Sequence, residues 1–165
     1  MALATFQSLV AEFGGRLGVP EIAADEEGYV ALTFDAVEVH LQHDAEEDEV
    51  VVFTRLGEVE VDRAAEIYGM LLGANLFWQG TRGATFSLEP DLGVVFLADR
   101  RALDGLSVER LNDWLEGFLD TVGYWQKRLA VANAGGPLVD PEMPVDDPPP
   151  PDDGGSSDPD FLLRV

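Results

Sequence analysis

One stripe of apolar residues near the C-terminal end of the predicted domain constrains the fold more than any other feature. Its members recur at alternating spacings of three and four residues and so share one helix face: Val108, Leu111, Leu115, Phe118, Val122, Trp125 and Leu129. Ser107 is the expected N-cap, and Glu109 lies in the first turn, where the helix dipole favours an acidic side chain. A stripe of this length suits either a coiled coil or a long helix packed on a sheet. Because sustained charge pairs do not flank it, the sequence favours a long helix on a sheet.

The residues that precede this helix supply the sheet. An amphipathic helix comes first, and its stripe consists of Leu3, Phe6, Leu9, Val10, Phe13 and Leu17. Three strand-like runs follow at 29–34, 37–43 and 50–56. Apolar and polar residues alternate in the first two and less strictly in the third, a pattern typical of a strand covered on both faces. A short turn at 35–36 and an acidic loop at 44–49 separate them. The three runs predict an antiparallel meander.

The second predicted helix is apolar around more of its circumference than contact with one sheet requires. We expect Asp62 to be its N-cap, and its apolar residues are Ala64, Ile67, Tyr68, Met70, Leu71 and Leu72. This pattern predicts burial on two sides, against the sheet and against another subunit. A hairpin follows, with strands at 84–89 and 94–99 joined by a turn at 90–93. The predicted order is α-β-β-β-α-β-β-α, an α+β fold in which helices pack on an antiparallel sheet.

Acidic residues dominate the composition. The 165 residues include 32 Asp and Glu against 10 Lys and Arg, which gives a formal net charge of −22. Nucleic-acid phosphates and anionic lipid headgroups repel such a chain, so we expect neither nucleic acid nor membrane as a partner. No cysteine is present, which excludes disulfides and thiolate sites. The first residues, MALATFQSLVAEF, contain neither a basic region nor a long apolar run, so we expect no signal peptide and no membrane span.

Charge and proline content divide the chain into a domain at 1–134 and a C-terminal extension. The domain holds 24 acids and nine bases, a net charge of −15, and residues 135–165 hold eight acids and one base, a net charge of −7. The extension also holds eight of the ten prolines, so we expect 135–160 to be a disordered, solvated tail. The apolar segment 161–165 (Phe161–Val165) follows it. This segment is either a frayed terminus or a short element that docks in an apolar groove of its own or a neighbouring subunit.

The sequence contains no arrangement of residues that indicates an enzyme or a metal site. The two histidines, His40 and His43, are three apart in a predicted strand, so they point to opposite faces and do not share a metal. The acidic run 44–49 lacks the ligand spacing and the glycine of an EF-hand loop. Gly80–Gly83 lacks the ending of a phosphate loop, and no nucleophile elbow is present. We therefore expect no catalysis, no cofactor and no metal.

Two stretches carry a resemblance to a known family. MLLGANLFWQGTRGATFSLEPDLGVVFLADR resembles the helix end, hairpin and strand of the class I type III secretion chaperones, the Tir chaperone (CesT-like) family. LSVERLNDWLEGFLDTVGYWQKRL resembles the final amphipathic helix of the same family. Together with the small size, the acidity and the order of elements, the resemblance covers roughly residues 3–131. The Pro-rich extension after Ala134 is longer than the family pattern.

The resemblance implies a cytoplasmic bacterial homodimer without nucleotide or metal. Such chaperones hold the N-terminal region of one or more secreted effectors in extended form and keep it soluble and secretion-competent. They also help to deliver it to the export apparatus. The ATPase of that apparatus is a further candidate partner. The family's dimer contacts correspond here to Ile67, Met70, Leu71, Leu76 and Phe77. Its apolar effector-binding grooves correspond to Phe6, Val10, Leu32, Phe34, Val39, Leu41, Val51 and Phe53. For each of these residues, packing in the core of the domain is the alternative.

Two other functions fit the acidic composition. An acidic mimic of nucleic acid would occupy the basic groove of a DNA-binding protein, which requires carboxylates at phosphate-like spacing on one face. A regulatory adaptor on the same scaffold would instead sequester a protein partner.

Overall fold

Five antiparallel strands form one sheet in the order β1-β2-β3-β5-β4. The structure is a computed structural model that describes residues 2–19 and 21–139. Over these residues the elements are α1 (Ala2–Arg16), β1 (Tyr29–Phe34), β2 (Val37–Asp44), β3 (Glu49–Glu58), α2 (Ala64–Asn75), β4 (Thr85–Glu89), β5 (Val94–Ala102) and α3 (Val108–Asn133). This order confirms the predicted α+β arrangement. Most of the predicted tail and the whole segment Phe161–Val165 lie outside the described residues.

The core of the domain lies between one face of the sheet and the helices α1 and α3. Side chains alternate along a strand, so every second residue points to this inner face. These residues are at most 7% exposed: Val30, Leu32, Val39, Leu41, Val50, Val52, Val95 and Leu97. Helix α1 adds Phe6, Leu9, Val10 and Phe13 to the same cluster. The inner face therefore takes most of the aliphatic residues of the strands.

Helix α3 follows its predicted pattern closely. All seven stripe residues are buried. The Ser107 hydroxyl accepts a hydrogen bond from the Arg110 N–H at 3.3 Å, which confirms the N-cap. Beside it, the Glu109 carboxylate is stabilised by its own backbone N–H, then by the Ser107 hydroxyl and the Arg16 guanidinium, and these contacts lower the pKa of Glu109. The first turn of α3 thus joins the end of α1.

Two tryptophans on α3 tie the helix to the rest of the domain. The Trp114 indole N–H donates to Asp99 Oδ2 of β5 at 2.7 Å. The Trp125 indole N–H donates to the Gly80 carbonyl at 2.9 Å, and its ring meets Phe86 of β4 edge-on at 4.8 Å. Helix α3 therefore fixes both strand β5 and the loop that leads into β4.

Two helix ends differ from the prediction. Leu17 lies beyond the end of α1 and is exposed, because Gly18 turns the chain with a φ of 75°. Asp62 is not the N-cap of α2, because Val61–Arg63 forms a single 3₁₀ turn and the helix begins at Ala64. Arg63 takes the capping position without a side-chain capping bond.

The chain beyond α3 turns back against α2. Arg63 Nη1 donates to the Gly136 carbonyl at 3.0 Å, and Arg128 Nη2 donates to the Leu138 carbonyl. Hydrogen bonds from charged donors are stronger than neutral ones. Leu138 packs against the core, whereas Val139, the last residue described, is exposed. The start of the C-terminal extension is therefore held beside α2.

Leu97→Ala tests the assigned inner face. Leu97 lies in β5 between two strands and is fully buried, so the substitution leaves a cavity that the sheet cannot close. We expect a loss of about 2–5 kcal/mol in the free energy of unfolding, measured with urea. Leu92→Ala, in the turn between β4 and β5 and 72% exposed, should change it by less than about 0.5 kcal/mol. Similar losses in both variants would contradict the assignment.

Candidate polypeptide-binding surfaces

The outer face of the sheet, opposite α1 and α3, carries a row of aromatic side chains. The Tyr29 hydroxyl and His40 Nδ1 lie 2.7 Å apart and share a hydrogen bond. The rings of His40 and Phe53 stack with their centroids 4.8 Å apart, and Phe53 faces Ala98 across the β3–β5 pair. Neighbouring strands leave these side chains half-buried. We call the surface formed by Tyr29, His40, Val51, Phe53, Phe96 and Ala98 the outer face.

Arginines flank the row on both sides. Arg100 lies opposite Val51, and its guanidinium is 3.4 Å from a carboxylate oxygen of Glu49. Arg55 lies opposite Phe96 and pairs with Glu58. Both arginine side chains are more than half exposed. In a domain with a net charge of −15, the outer face is therefore apolar in its centre and has positive groups at its margins.

Strand β1 forms one edge of the sheet, and part of that edge is open. The Gly28 carbonyl accepts from the His43 N–H, so the alternating pattern directs the backbone groups of Tyr29, Ala31 and Thr33 away from β2. Asp25 binds both the N–H and the carbonyl of Tyr29. The outward backbone groups of Ala31 and Thr33 are left for an added strand.

Strand β4 forms the other edge, and a side chain covers its centre. The Asn75 carboxamide accepts from the Phe86 N–H at 2.9 Å and donates to the Phe86 carbonyl at 3.4 Å. It therefore occupies the two backbone groups that an added strand would use. Of the two edges, β1 is the one available for strand addition.

The exposed side of α2 is apolar and leads into an aromatic loop. Ala65, Gly69, Leu72 and Leu76 follow one another at spacings of four, three and four residues, and all are exposed. Leu72 is 68% exposed, and in the next turn Phe77 is 75% and Trp78 is 55% exposed. Exposed apolar residues that adjoin one another in this way are typical of contact surfaces between proteins. We call Leu72, Leu76 and Phe77, with the small residues of α2, the α2 face.

Phe77 and Trp78 also have unusual backbone conformations. Their φ angles are 52° and 55°, in the left-handed region that bulky residues rarely adopt. Each such residue costs about 1–3 kcal/mol and persists only where surrounding contacts fix it. Here the Trp78 indole N–H donates to Thr85 Oγ1 at 3.2 Å, and the Gly80 carbonyl is held by Trp125.

Most residues of the predicted effector-binding groove lie in the core. Phe6, Val10, Leu32, Val39 and Leu41 are between 0 and 7% exposed and face the helices, so this structure places them in packing contacts of the domain itself. Phe34 is partly buried at the end of β1. Val51 and Phe53 are on the outer face. Val51 and Phe53 are therefore the two predicted groove residues on the open outer face, whereas Phe34 packs against the core from the inner face and the other five are buried in it.

The predicted dimer residues divide in the same way. Ile67 and Leu71 are buried against the core on the inner side of α2, and Met70 is partly buried near Arg128. Leu76 and Phe77 are exposed on the α2 face. Leu72 belongs with these two, although the predicted set left it out.

The described residues contain neither a metal-binding cluster nor a helix that could span a membrane. Within 2–19 and 21–139, His, Asp and Glu side chains form no group of three that is arranged to hold a metal ion. His43 stacks on Phe6 on the inner face and His40 lies on the outer face, as their spacing predicts. None of the helices in this part of the chain combines the length and the apolar character that crossing a bilayer requires.

Comparison with known proteins decides the family. The sequence pattern of the Tir chaperone protein (CesT) family matches residues 8–126. The chain is 30% identical over 122 residues to the transcriptional anti-antiactivator ExsC of Pseudomonas aeruginosa, over 73% of this chain and 83% of that protein. A chain of the crystallised ExsC–ExsE complex superposes with a TM-score of 0.66 at 30% identity, over 77% of this chain and 95% of that one. For the Yersinia pestis type III secretion chaperone SycH, solved with a stable fragment of YscM2, the TM-score is 0.56 at 29% identity, over 72% and 98%.

The chain belongs to the Tir chaperone protein (CesT) family. This confirms the resemblance drawn from the two sequence stretches, and the family is one of chaperones. The five-stranded sheet and three helices match the fold of the type III secretion chaperones. Open apolar surfaces and free strand edges are features through which proteins commonly bind extended polypeptides.

Sequence reasoning missed Trp78, Asn75 and the pair Tyr29–His40. Trp78 was visible only as a continuation of apolar character after α2, and nothing in the sequence indicates a left-handed φ there. Asn75 looked like an ordinary helix-ending residue. Strand alternation did place Tyr29 and His40 away from the apolar side, but it did not indicate that their rings form a row with Phe53.

Asn75→Ala tests the covered edge of this CesT-family domain. The Phe86 N–H and carbonyl both lose their partner, so we expect faster hydrogen exchange at Phe86 and a loss of about 1–3 kcal/mol in the free energy of unfolding. Asn75→Asp keeps the acceptor for the Phe86 N–H and should retain most of the protection. Unchanged exchange at Phe86 in the alanine variant would contradict the role of Asn75.

Proposed function

We propose that this chain is a cytoplasmic bacterial type III secretion chaperone. It binds the N-terminal region of one or more effectors in extended form, keeps that region soluble and secretion-competent, and helps to deliver it to the export apparatus. The observation that carries the proposal is the apolar outer face beside an open strand edge, in a chain of the CesT family. ExsC and SycH, two similar proteins, were each solved in complex with another polypeptide.

An extended client uses two kinds of contact on this surface. Its backbone pairs with the outward N–H and carbonyl groups of Ala31 and Thr33 and so adds a strand to β1. Its side chains, which alternate along that strand, contact the neighbouring positions of β1. Apolar residues elsewhere in the client cover Phe53, because β3 lies two strands further into the sheet. Val51 supplies the neighbouring apolar position. These contacts recognise a polypeptide that is extended rather than folded.

The energetics require several such contacts at once. Each side chain of the client that becomes immobilised costs about 0.5–1.5 kcal/mol. Full burial of a Leu or Phe side chain returns about 1.5–3 kcal/mol, so one or two anchors do not offset the ordering of a long segment. A large interface is needed, and two copies of the chain would provide two outer faces.

The α2 face is the surface through which we propose that two copies associate. It exposes Leu72, Leu76 and Phe77, and the small residues Ala65 and Gly69 on the same side permit close approach of a second helix. Association removes these side chains from water. The proposed homodimer therefore explains why α2 is apolar on both its inner and its outer side.

Leu72→Asp tests the homodimer. A carboxylate at this position would lie in the apolar interface without a partner, so we expect the variant to be a monomer at concentrations at which the natural chain is a dimer. Size-exclusion chromatography with light scattering measures the mass. Leu17→Asp introduces the same charge at the exposed end of α1 and should leave the dimer intact. If the natural chain is a monomer, or if Leu72→Asp remains a dimer, this interface is wrong.

A regulatory adaptor is the second candidate function. One observation favours it specifically: the relative with 30% identity is named a transcriptional anti-antiactivator. The same outer face and strand edge would then hold a regulatory protein instead of an effector, or exchange one for the other. The mimic of nucleic acid has less support, because acidic residues lie on the β2–β3 turn, before α2 and along α3 rather than on one element.

Two experiments test the proposal: identification of the bound client, and measurement of its affinity for a variant of the outer face. Purification of the chain from its host, followed by mass spectrometry, should yield a stoichiometric polypeptide whose contact region is its N-terminal segment. The affinity of that segment for Phe53→Ala should fall about fivefold or more, because the loss of a central aromatic anchor costs more than about 1 kcal/mol. Ser87→Ala, exposed on β4, is the matched control. A transcriptional regulator as the sole partner would favour the adaptor, and no bound polypeptide at all would refute both candidates.

A further inference from the structure

Trp78 stands beside the outer face and encloses a cleft with it. The cleft has a volume of about 470 Å³ and lies between the indole, the sheet and the start of β4. Val51 and Ala98 form its apolar floor, Thr85 holds the indole N–H, and Arg100 lies at its rim. The strained conformation of Trp78 keeps the indole in this position rather than against α2.

The lining of the cleft specifies what it binds. An aromatic or branched apolar side chain fits between the indole and the Val51–Ala98 floor. The Arg100 side chain is 71% exposed, and its guanidinium lies 3.4 Å from a carboxylate oxygen of Glu49. A carboxylate of a bound peptide can replace Glu49 in this ion pair. The best-suited occupant is therefore an apolar segment that directly follows acidic residues.

The chain itself contains such a segment. We propose that residues 158–163, with the sequence DPDFLL, dock in the Trp78 cleft of the same chain. In the docked segment, Asp158 and Asp160 would pair with Arg100, and Phe161 and the two leucines after it would occupy the apolar floor. In the C-terminal extension, this is where consecutive large apolar residues follow acidic ones.

The path of the chain supports docking within one molecule. Leu138 and Val139 line a second cleft together with Gln79 and Gly80, the two residues that follow Trp78 in the sequence. The extension therefore starts close to Trp78. Arg63 and Arg128 hold it there. The 18 residues between Val139 and Asp158 span at most about 60 Å when fully extended, whereas a domain of this size has a radius of gyration of about 14 Å. The tether keeps the segment at an effective concentration of about millimolar, so weak intrinsic binding is sufficient.

Paramagnetic broadening in the full-length chain tests the docking without a client. Because the chain has no cysteine, Ser157→Cys accepts a single nitroxide label next to the segment. We expect a several-fold loss of peak intensity, relative to the reduced label, at the amides of Val51, Ala98 and Arg100 and at the Trp78 indole N–H. In a mixture of labelled 14N chain and unlabelled 15N chain, these peaks should keep their intensity.

Variants separate docking from chance proximity. Phe161→Asp with Leu163→Asp should abolish the broadening, whereas Ser156→Asp should not. Arg100→Glu should reduce it, and Asp158→Arg with Asp160→Arg in the same chain should restore it. Absence of broadening in a folded chain, broadening centred on the α2 face, or broadening in the mixed sample would each overturn the proposal. The last result would assign the segment to a second copy. None of these outcomes depends on whether the chain binds an effector.

Discussion

The packing of α1 and α3 on the same face of the sheet is the constraint on which the other surfaces depend. The seven stripe residues of α3 each contribute about 1.5–3 kcal/mol on burial, and they meet the inner side chains of the central strands. Because both long helices pack on the inner face, they leave the opposite face of the sheet, with its half-buried aromatic row, open within residues 2–19 and 21–139. Helix α2 is too short to reach across it and buries only Ile67 and Leu71. The outer face and the α2 face are thus what remains after the core has been built.

The sequence predicted the parts of this fold that depend on local periodicity. The spacing from Val108 to Leu129, together with Ser107 as N-cap, correctly defined α3, and alternation defined the strands. Alternation also shows that Val39 and Leu41 share a face. It does not show which face the helices cover, because that depends on contacts between elements distant in the sequence. For this reason the predicted groove residues lie mostly in the core, whereas Val51 and Phe53, read as part of a less regular strand, lie on the outer face.

The few basic residues of the domain have specific positions in a strongly acidic molecule. Arg63 and Arg128 direct their guanidinium groups to backbone carbonyls of residues 136 and 138, so they fix the chain where it leaves α3. Arg55 and Arg100 instead border the outer face. The net negative charge of the domain disfavours contact with nucleic acid. One pair of arginines thus binds peptide groups within the chain, and the other borders the surface proposed to bind a polypeptide.

The loop after α2 connects the two candidate contact surfaces. Phe77 and Trp78 adopt consecutive left-handed conformations, so one side chain lies on the α2 face while the next stands beside the outer face. The strain is held by contacts on either side of the pair, namely Asn75 on Phe86 and Trp125 on Gly80. Relaxing either residue toward an ordinary φ would turn both side chains, since they are adjacent along the backbone. In the proposed homodimer, a second copy packed on Phe77 would therefore also stabilise the position of Trp78, and these two adjacent residues would couple subunit association to the shape of the proposed polypeptide-binding surface.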